Sequence, residues 1–175
     1  NNKRKIKVMF LSATEAPAGE KRDFQPHPKG PCKGVCVEVV TTNKKTGEPF
    51  SKVSQEGDTK NQMILVFQTD KQTETEDGPQ YNVHWEWFNI PQSITNENGK
   101  LHKFLKDWEV EIKDYPTQEA FAEEVVGRPA HLVFTHVESK KTGKTYGNLT
   151  SCTPVENPAD AFQAEDYRPY NEVPF

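Results

Sequence analysis

Lysines and aromatic side chains recur together along this chain, and the combination suits an anionic polymer that carries flat rings. Lysines neutralise phosphates and release counterions, while rings stack on any nucleobase at about 1–3 kcal/mol per base. Two polar stretches hold the lysines, which are Lys44, Lys45, Lys52 and Lys60 in the first and Lys140, Lys141 and Lys144 in the second. The neighbouring aromatic residues are Phe50, Tyr81, Trp85, Trp87 and Tyr146. This pattern predicts a surface that binds single-stranded nucleic acid with little sequence preference.

Each ring also has an ordinary structural interpretation. Trp85 and Trp87 share strand parity with Val83, so they could equally belong to the hydrophobic core. Phe50 and Tyr146 lie in or beside polar turns, and we expect both to be exposed.

Charge is unevenly distributed along the chain. The net charge is -4, and residues 156–175 alone carry five acids and one base, so residues 1–155 sum to zero. Within residues 1–60, twelve Lys or Arg stand against seven Asp or Glu. An excess of this kind favours an anionic partner on one face of the molecule.

The sequence offers little for catalysis. No Ser-His-Asp arrangement, glycine-rich phosphate loop or His-Glu-x-x-His pattern is present. Glu109, Glu111 and Asp114 could form a metal-binding set, but after a helical stripe they are more simply a solvated edge. The cysteines, Cys32, Cys36 and Cys152, are odd in number and predict buried thiols rather than a zinc site. We expect no enzyme activity, no metal and no cofactor.

The elements that would position the lysines and rings follow from periodicity. Strands are predicted at residues 32–42, 62–70, 81–90, 128–138 and 145–155. Between the third and fourth strands, Leu101, Phe104, Leu105 and Trp108 fall at i, i+3, i+4 and i+7, which predicts an amphipathic helix. A second short helix is predicted over 116–127, with Thr117 as its cap.

This order is that of a mainly β fold, the five-stranded OB-fold Greek-key barrel with a helix between strands 3 and 4. Such barrels bind oligonucleotides across strands two and three, between the loops that join strands one to two and four to five. Both lysine stretches fall in those loops. The sequence therefore predicts an N-terminal arm at 1–30, an OB-fold nucleic-acid-binding domain at 31–155 and an acidic tail at 156–175.

The stretch "EDYRPYNEVPF" resembles the acidic tail of bacterial and phage single-stranded DNA-binding proteins, which carries a Pro-Phe tip after an aliphatic residue. The resemblance implies single-stranded DNA binding in replication, recombination or repair. It also implies that Glu172, Val173, Pro174 and Phe175 recruit replication or recombination proteins. Arg168 and Asn171 stand where acids are usual, which suggests a divergent, phage-borne relative. Such a protein would act in the cytoplasm of a bacterial or phage-infected cell, without contacting membranes, and could be a homo-oligomer.

Two other functions remain open from the sequence. The barrel could bind a peptide and have no role with nucleic acid, or it could be a metal-dependent nuclease. The tail also has an alternative, because Phe175 could pack on its own domain instead of a partner. A tail folded into its own basic groove would act as a mild autoinhibitor.

Overall fold

A computed structural model describes residues 25–172 of the chain. The described part is mainly β, with one open antiparallel sheet of six strands and two α-helices. The strands are β1 (Gly30–Val40), β2 (Ser51–Val53), β3 (Thr59–Thr75), β4 (Gly78–Asn89), β5 (Pro129–Glu138) and β6 (Thr145–Thr153). The helices are α1 (Lys100–Asp107) and α2 (Gln118–Val125), and 3-10 turns follow at Pro158–Asp160 and Tyr170–Glu172.

The sheet is built around β1, which pairs with β3 on one side and with β5 on the other. β3 also pairs with β4 and with the short β2, and β5 pairs with β6. Among the described residues no ladder joins β4 to β6, so the sheet stays open between these two strands. Helix α1 contacts both of them.

The hydrophobic core lies on one face of the sheet, which we call the inner face. Leu65, Phe67 and Leu132 point inward from the strands and are fully buried, as are Leu105 and Trp108 on the helical side. The predicted stripe of α1 is confirmed, because Leu101 and Leu105 are its buried positions and Phe104 packs against the same core. Thr117 caps α2 by accepting from the Ala120 amide at 3.1 Å.

All three cysteines are free and buried, as predicted. Burial raises the pKa of Cys32 to about 11 and of Cys36 to about 12. It raises the pKa of Cys152 as well. These thiols therefore stay protonated at neutral pH and act as small core hydrophobes.

The expectation of five strands is wrong, because the stretch predicted as a loop between strands one and two contains β2. Ser51–Val53 forms a three-residue ladder with Thr59–Asn61, and β3 begins earlier than predicted. Lys52 and Lys60 therefore lie on strands. Three residues are too few to show a period in the sequence, so β2 had no local signal.

Neither helix between residues 25 and 172 is long and apolar enough to cross a membrane.

A buried histidine fixes the chain just before β1. His27 is 7% exposed and stacks on Phe134 with ring centroids 3.8 Å apart. Its Nδ1–H donates to the Pro28 carbonyl at 2.9 Å, so Nε2 accepts from the Thr69 hydroxyl at 2.7 Å. His136 donates to the His27 carbonyl at 2.8 Å. Burial lowers the pKa of His27, and this effect outweighs the Pro28 contact, which would raise it.

The low pKa of His27 predicts a loss of stability in acid. Between the folded pKa and the ordinary value of 6.5, the unfolded chain binds more protons than the folded one. The free energy of unfolding should therefore fall as pH decreases from about 7.5 to about 5.5. Urea unfolding of the wild type and of His27→Gln at several pH values tests this.

In that experiment His27→Gln should be less stable at neutral pH but show a shallower pH dependence. The matched control is His131→Gln, since His131 is exposed on β5. Equal slopes for the wild type and His27→Gln would contradict the assignment.

Candidate functional site

The opposite side of the sheet, which we call the outer face, is formed by three rows of side chains across β1, β3 and β4. Residues directly opposite in antiparallel strands point to the same side. The first row is Val40, Ile64 and Trp87. The second is Glu38, Val66 and Trp85. The third is Val35, Gln68 and Val83.

The β4 edge of the outer face carries exposed rings. Trp85 and Trp87 are 40% and 39% exposed, so the interpretation of these residues as core is wrong. The core residues of β4 lie on the opposite parity, where Phe88 is 1% exposed. Phe50 packs against Trp87 in an edge-on contact with centroids 5.0 Å apart. It is held there because its amide donates to the Thr41 carbonyl at 2.9 Å.

Two lysines extend the same face beyond its last tryptophan. Lys60 shares parity with Ile64 and Val66 on β3, and Lys52 is its direct partner on β2. Both side chains are exposed, and within residues 25–172 neither forms an ion pair. Like charges directly opposite each other in a ladder repel. This pair therefore favours an anion above it.

Residues 161–172, which we call the tail segment, lie across the outer face. Phe162 contacts Tyr81 with centroids 5.2 Å apart, and Tyr170 contacts Trp85 at 5.3 Å. Tyr167 and Tyr170 pack against the apolar cluster of Val40, Ile64 and Val66. The aromatic residues of the tail segment thus rest on the rings and aliphatic side chains of the sheet.

Hydrogen bonds hold the tail segment in one register. The Tyr167 hydroxyl and the Tyr170 amide both donate to Oε2 of Glu38, at 2.5 and 2.9 Å. Burial, with the Glu38 hydrogen bond adding to it, raises the pKa of Tyr167, so its hydroxyl remains a donor. The Gln68 amide donates to the Glu165 carbonyl at 2.6 Å and accepts from the Glu165 amide at 2.8 Å.

Lys44 joins the tail segment to the loop after β1. Its Nζ donates to the Tyr170 carbonyl at 2.9 Å and lies 4.8 Å from the centre of the Tyr170 ring. The tail segment carries Glu165, Asp166 and Glu172 against one base, Arg168. An acidic, aromatic segment is therefore bound where lysine and tryptophan side chains meet.

A cleft of about 950 Å³ remains between the tail segment and β4. Tyr81, Val83 and Trp85 form one wall, and Asp166, Tyr167 and Arg168 form the other. The tail segment therefore covers the β1 and β3 side of the outer face more completely than the β4 side.

The predicted site residues separate into three groups. Those at or next to the outer face are Lys44, Phe50, Lys52, Lys60, Tyr81, Trp85 and Trp87. Lys45 is exposed in the loop after β1. Lys140, Lys141 and Lys144 belong to the β5–β6 connection, which lies beyond the start of β1 because Phe134 pairs with Gly30. β1 has 11 residues, and both the connection and the β2–β3 hairpin lie beyond its ends, so more than about 30 Å separates them along the strand.

Two expectations about individual rings had different outcomes. Tyr146 is exposed as predicted, but it stands on β6 and is separated from β3 by β5 and β1. Phe50 was expected to be exposed and is instead half-buried, because it packs under Trp87 and Tyr170. Of the predicted tip, Glu172 is exposed in the last 3-10 turn. Val173, Pro174 and Phe175 lie outside the described residues.

Sequence reasoning missed the residues that bind the tail segment, above all Glu38 and Gln68. A single carboxylate inside the valine-rich stretch "VCVEVV" was a usable signal, since a charged residue there needs a specific partner. The aromatic residues Phe162, Tyr167 and Tyr170 were a second signal. A fully solvated acidic tail has no need of three rings.

Among the described residues, the carboxylates considered as a metal set do not come together in one site. Glu111 pairs with Lys113 at 3.3 Å, and Glu109 takes a positive φ of 58° after the end of α1. No group of three or more metal-binding side chains was found in the part of the chain that the structure describes.

Comparison with known proteins does not assign this chain to a family. No protein-family model matches the chain, and no curated protein matches it. The functional conclusion therefore depends on the chemistry of the outer face.

The paired contacts of Gln68 predict that it holds the tail segment on the sheet. Replacing Gln68 by Met removes both hydrogen bonds while keeping the length of the side chain. At about 1 kcal/mol net per bond, the amide of Glu165 should exchange with solvent roughly tenfold faster or more. Hydrogen exchange followed by NMR measures this rate.

The matched control is Gln72→Met, which changes an exposed glutamine on the same strand. It should leave the exchange of the Glu165 amide unchanged. An equal effect of both substitutions would mean that Gln68 does not anchor the tail segment.

Proposed function

We propose that this protein binds single-stranded DNA across the outer face of β3 and β4, without strong sequence preference overall, during replication, recombination or repair. The observation that carries the proposal is the single surface shared by exposed tryptophans and the facing lysines Lys52 and Lys60. Rings stack on bases, and lysines neutralise phosphates. A surface with both needs no base-specific contact to gain affinity.

The tail segment supports this proposal because it resembles a single strand in its chemistry. It presents flat rings to Trp85 and Tyr81, a carbonyl oxygen to Lys44, and a net negative charge. A nucleic acid strand would bring bases, phosphate oxygens and charge to the same places. The tail segment is therefore a competitor that single-stranded DNA must displace, a mild autoinhibitor.

The pairing of β1 with both β3 and β5 supports the OB-fold, the architecture we propose, in which the barrel would close between β4 and β6. In OB-folds the binding face is the surface of the second and third strands, here β3 and β4. DNA would run from the β2–β3 hairpin across Trp87 and Trp85 towards Lys140, Lys141 and Lys144. The aromatic residue Tyr146 would lie near that far end.

The remaining parts of the proposal concern partners and setting. Glu172, Val173, Pro174 and Phe175 would recruit replication or recombination proteins, as their resemblance to the acidic Pro-Phe tip implies. The protein would act in the cytoplasm of a bacterial or phage-infected cell, without catalytic activity or a cofactor. A homo-oligomer is compatible with it.

Replacing lysines by glutamate tests the proposed path of the DNA. Lys52→Glu with Lys60→Glu should weaken binding of oligothymidine and oligocytidine alike and flatten the salt dependence between about 50 and 200 mM, because phosphate contacts are lost. Fluorescence anisotropy of a labelled strand of about 12 nucleotides measures both quantities.

Lys140→Glu, Lys141→Glu and Lys144→Glu together should behave the same way if the strand reaches the β5–β6 connection. The control is Lys103→Glu, on the exposed side of α1. Unchanged affinity and slope in both multiple variants would contradict the proposed interface. No binding by the wild type at low salt would favour a peptide-binding module instead.

Deleting residues 165–175 tests the two proposed roles of the tail. Affinity for single-stranded DNA should stay equal or increase, because a competitor of the outer face is removed. Pull-down of replication and recombination proteins should be lost. Anisotropy and mass spectrometry of captured proteins measure the two effects.

A double variant, Pro174→Ala with Phe175→Ala, separates these roles. It should lose the captured proteins and keep the DNA affinity of the wild type. A deletion that unfolds the domain or abolishes DNA binding would mean that the tail is an integral part of the fold.

A further inference from the structure

Two polar side chains lie on the otherwise apolar side of the outer face that the tail segment covers. Glu38 has Val66 beside it on β3, and Gln68 is 3% exposed. Both form their hydrogen bonds with the tail segment. When the tail segment leaves, these groups require new partners, since an unpaired polar group on an apolar surface is costly.

A carboxylate at this place does not serve phosphate binding. Phosphates carry the same charge as Glu38 and would be repelled by it. A surface that used only stacking and phosphate contacts would have an apolar or basic residue here. The side chain therefore fits a different part of a nucleotide, a hydrogen-bond donor on the edge of a base.

The contacts of the tail segment indicate which donors fit. Oε2 of Glu38 accepts two hydrogen bonds at once, from Tyr167 and Tyr170. Tyr170 also places its ring 5.3 Å from that of Trp85. Tyr170 thus contacts both ends of the row Glu38, Val66 and Trp85, reaching Glu38 with its backbone amide and Trp85 with its ring. The outer members of this row lie about 10 Å apart across three strands.

Guanine is the base that presents two adjacent donors, N1–H and N2–H, on one edge. Adenine and cytosine each present one amino group beside a ring nitrogen that accepts. Thymine and uracil present one N–H between two carbonyl oxygens, which a carboxylate repels.

We propose that Glu38 is a specificity-determining residue that accepts the N1–H and N2–H of one guanine held against Trp85 on the outer face. This inference rests on the proposed binding of single-stranded DNA and adds one base-reading position to it. The remainder of the strand is bound through rings and lysines without regard to sequence.

The test uses the full chain and the ratio of two dissociation constants. One probe is an oligothymidine of about 12 nucleotides, and the other carries a single central guanosine. Competition by the tail segment raises the apparent dissociation constants of both probes by the same factor. The ratio of the two constants therefore does not depend on how tightly the tail segment binds the outer face. The wild type should bind the guanosine probe roughly tenfold more tightly.

Three comparisons identify Glu38 as the cause. Glu38→Gln should bring the ratio close to one, because an amide group replaces one acceptor oxygen. Tyr167→Phe, which removes a tail contact and keeps Glu38, should strengthen binding of both probes and leave their ratio as in the wild type. A probe with inosine in place of guanosine lacks the N2 amino group and should lose most of the gain.

The outcomes separate the two proposals. Equal binding of both probes by the wild type, or an unchanged ratio in a folded Glu38→Gln variant, would overturn the inference and leave the proposed function standing. Absence of binding by either probe at low salt would overturn the proposed function and this inference with it.

Discussion

The structure depends on one strand that is buried on both sides. From Met63 to Thr69 every residue of β3 is buried, although an antiparallel strand commonly has one solvated face. The inner side chains pack against the helices, and the outer ones lie under the tail segment. A strand with two apolar faces needs packing partners on both sides of the sheet. The helices cover the inner side, whereas the tail segment covers the outer side and is joined to β1 and β3 by a few hydrogen bonds and two tyrosine rings.

In the function that we propose, polar groups would make the tail segment exchangeable. An entirely apolar outer face would hold an apolar segment permanently or attract unrelated chains. Glu38 and Gln68 instead require a partner with donors and acceptors at particular places, and they are costly to bury without one. The tail segment meets this requirement through Glu165, Tyr167 and Tyr170. Any ligand that replaced it, as we propose for single-stranded DNA, would have to meet the same requirement. Hydrogen bonding would then select what binds, while the rings would provide affinity.

The sequence predicted the elements whose signals are local. The stripe of Leu101 and Leu105 gave α1, and the alternation around Phe67 gave β3. Alternation along β4 also predicted that Trp85 and Trp87 share one face. Which face of a strand lies inside depends on how the whole sheet folds, so the exposure of these two residues could not be predicted from alternation alone. The hydrogen bond from Tyr167 to Glu38 joins residues 129 positions apart and leaves no periodic trace in the sequence. The same applies to Gln68, whose neighbours in sequence are apolar or ordinary strand residues.

The facing pair Lys52 and Lys60 has a second consequence, for solubility. Within residues 25–172, β2 is the last strand on its side of the sheet, so its outer edge offers unpaired backbone groups to another extended chain. Val53, the last residue of β2, is 63% exposed, and an exposed apolar residue at a sheet edge favours aggregation. Natural sheets blunt such edges with short strands and lysines. β2 has three residues and a lysine at its centre. The charges that would suit an anionic ligand therefore also disfavour the joining of two copies of the sheet edge to edge.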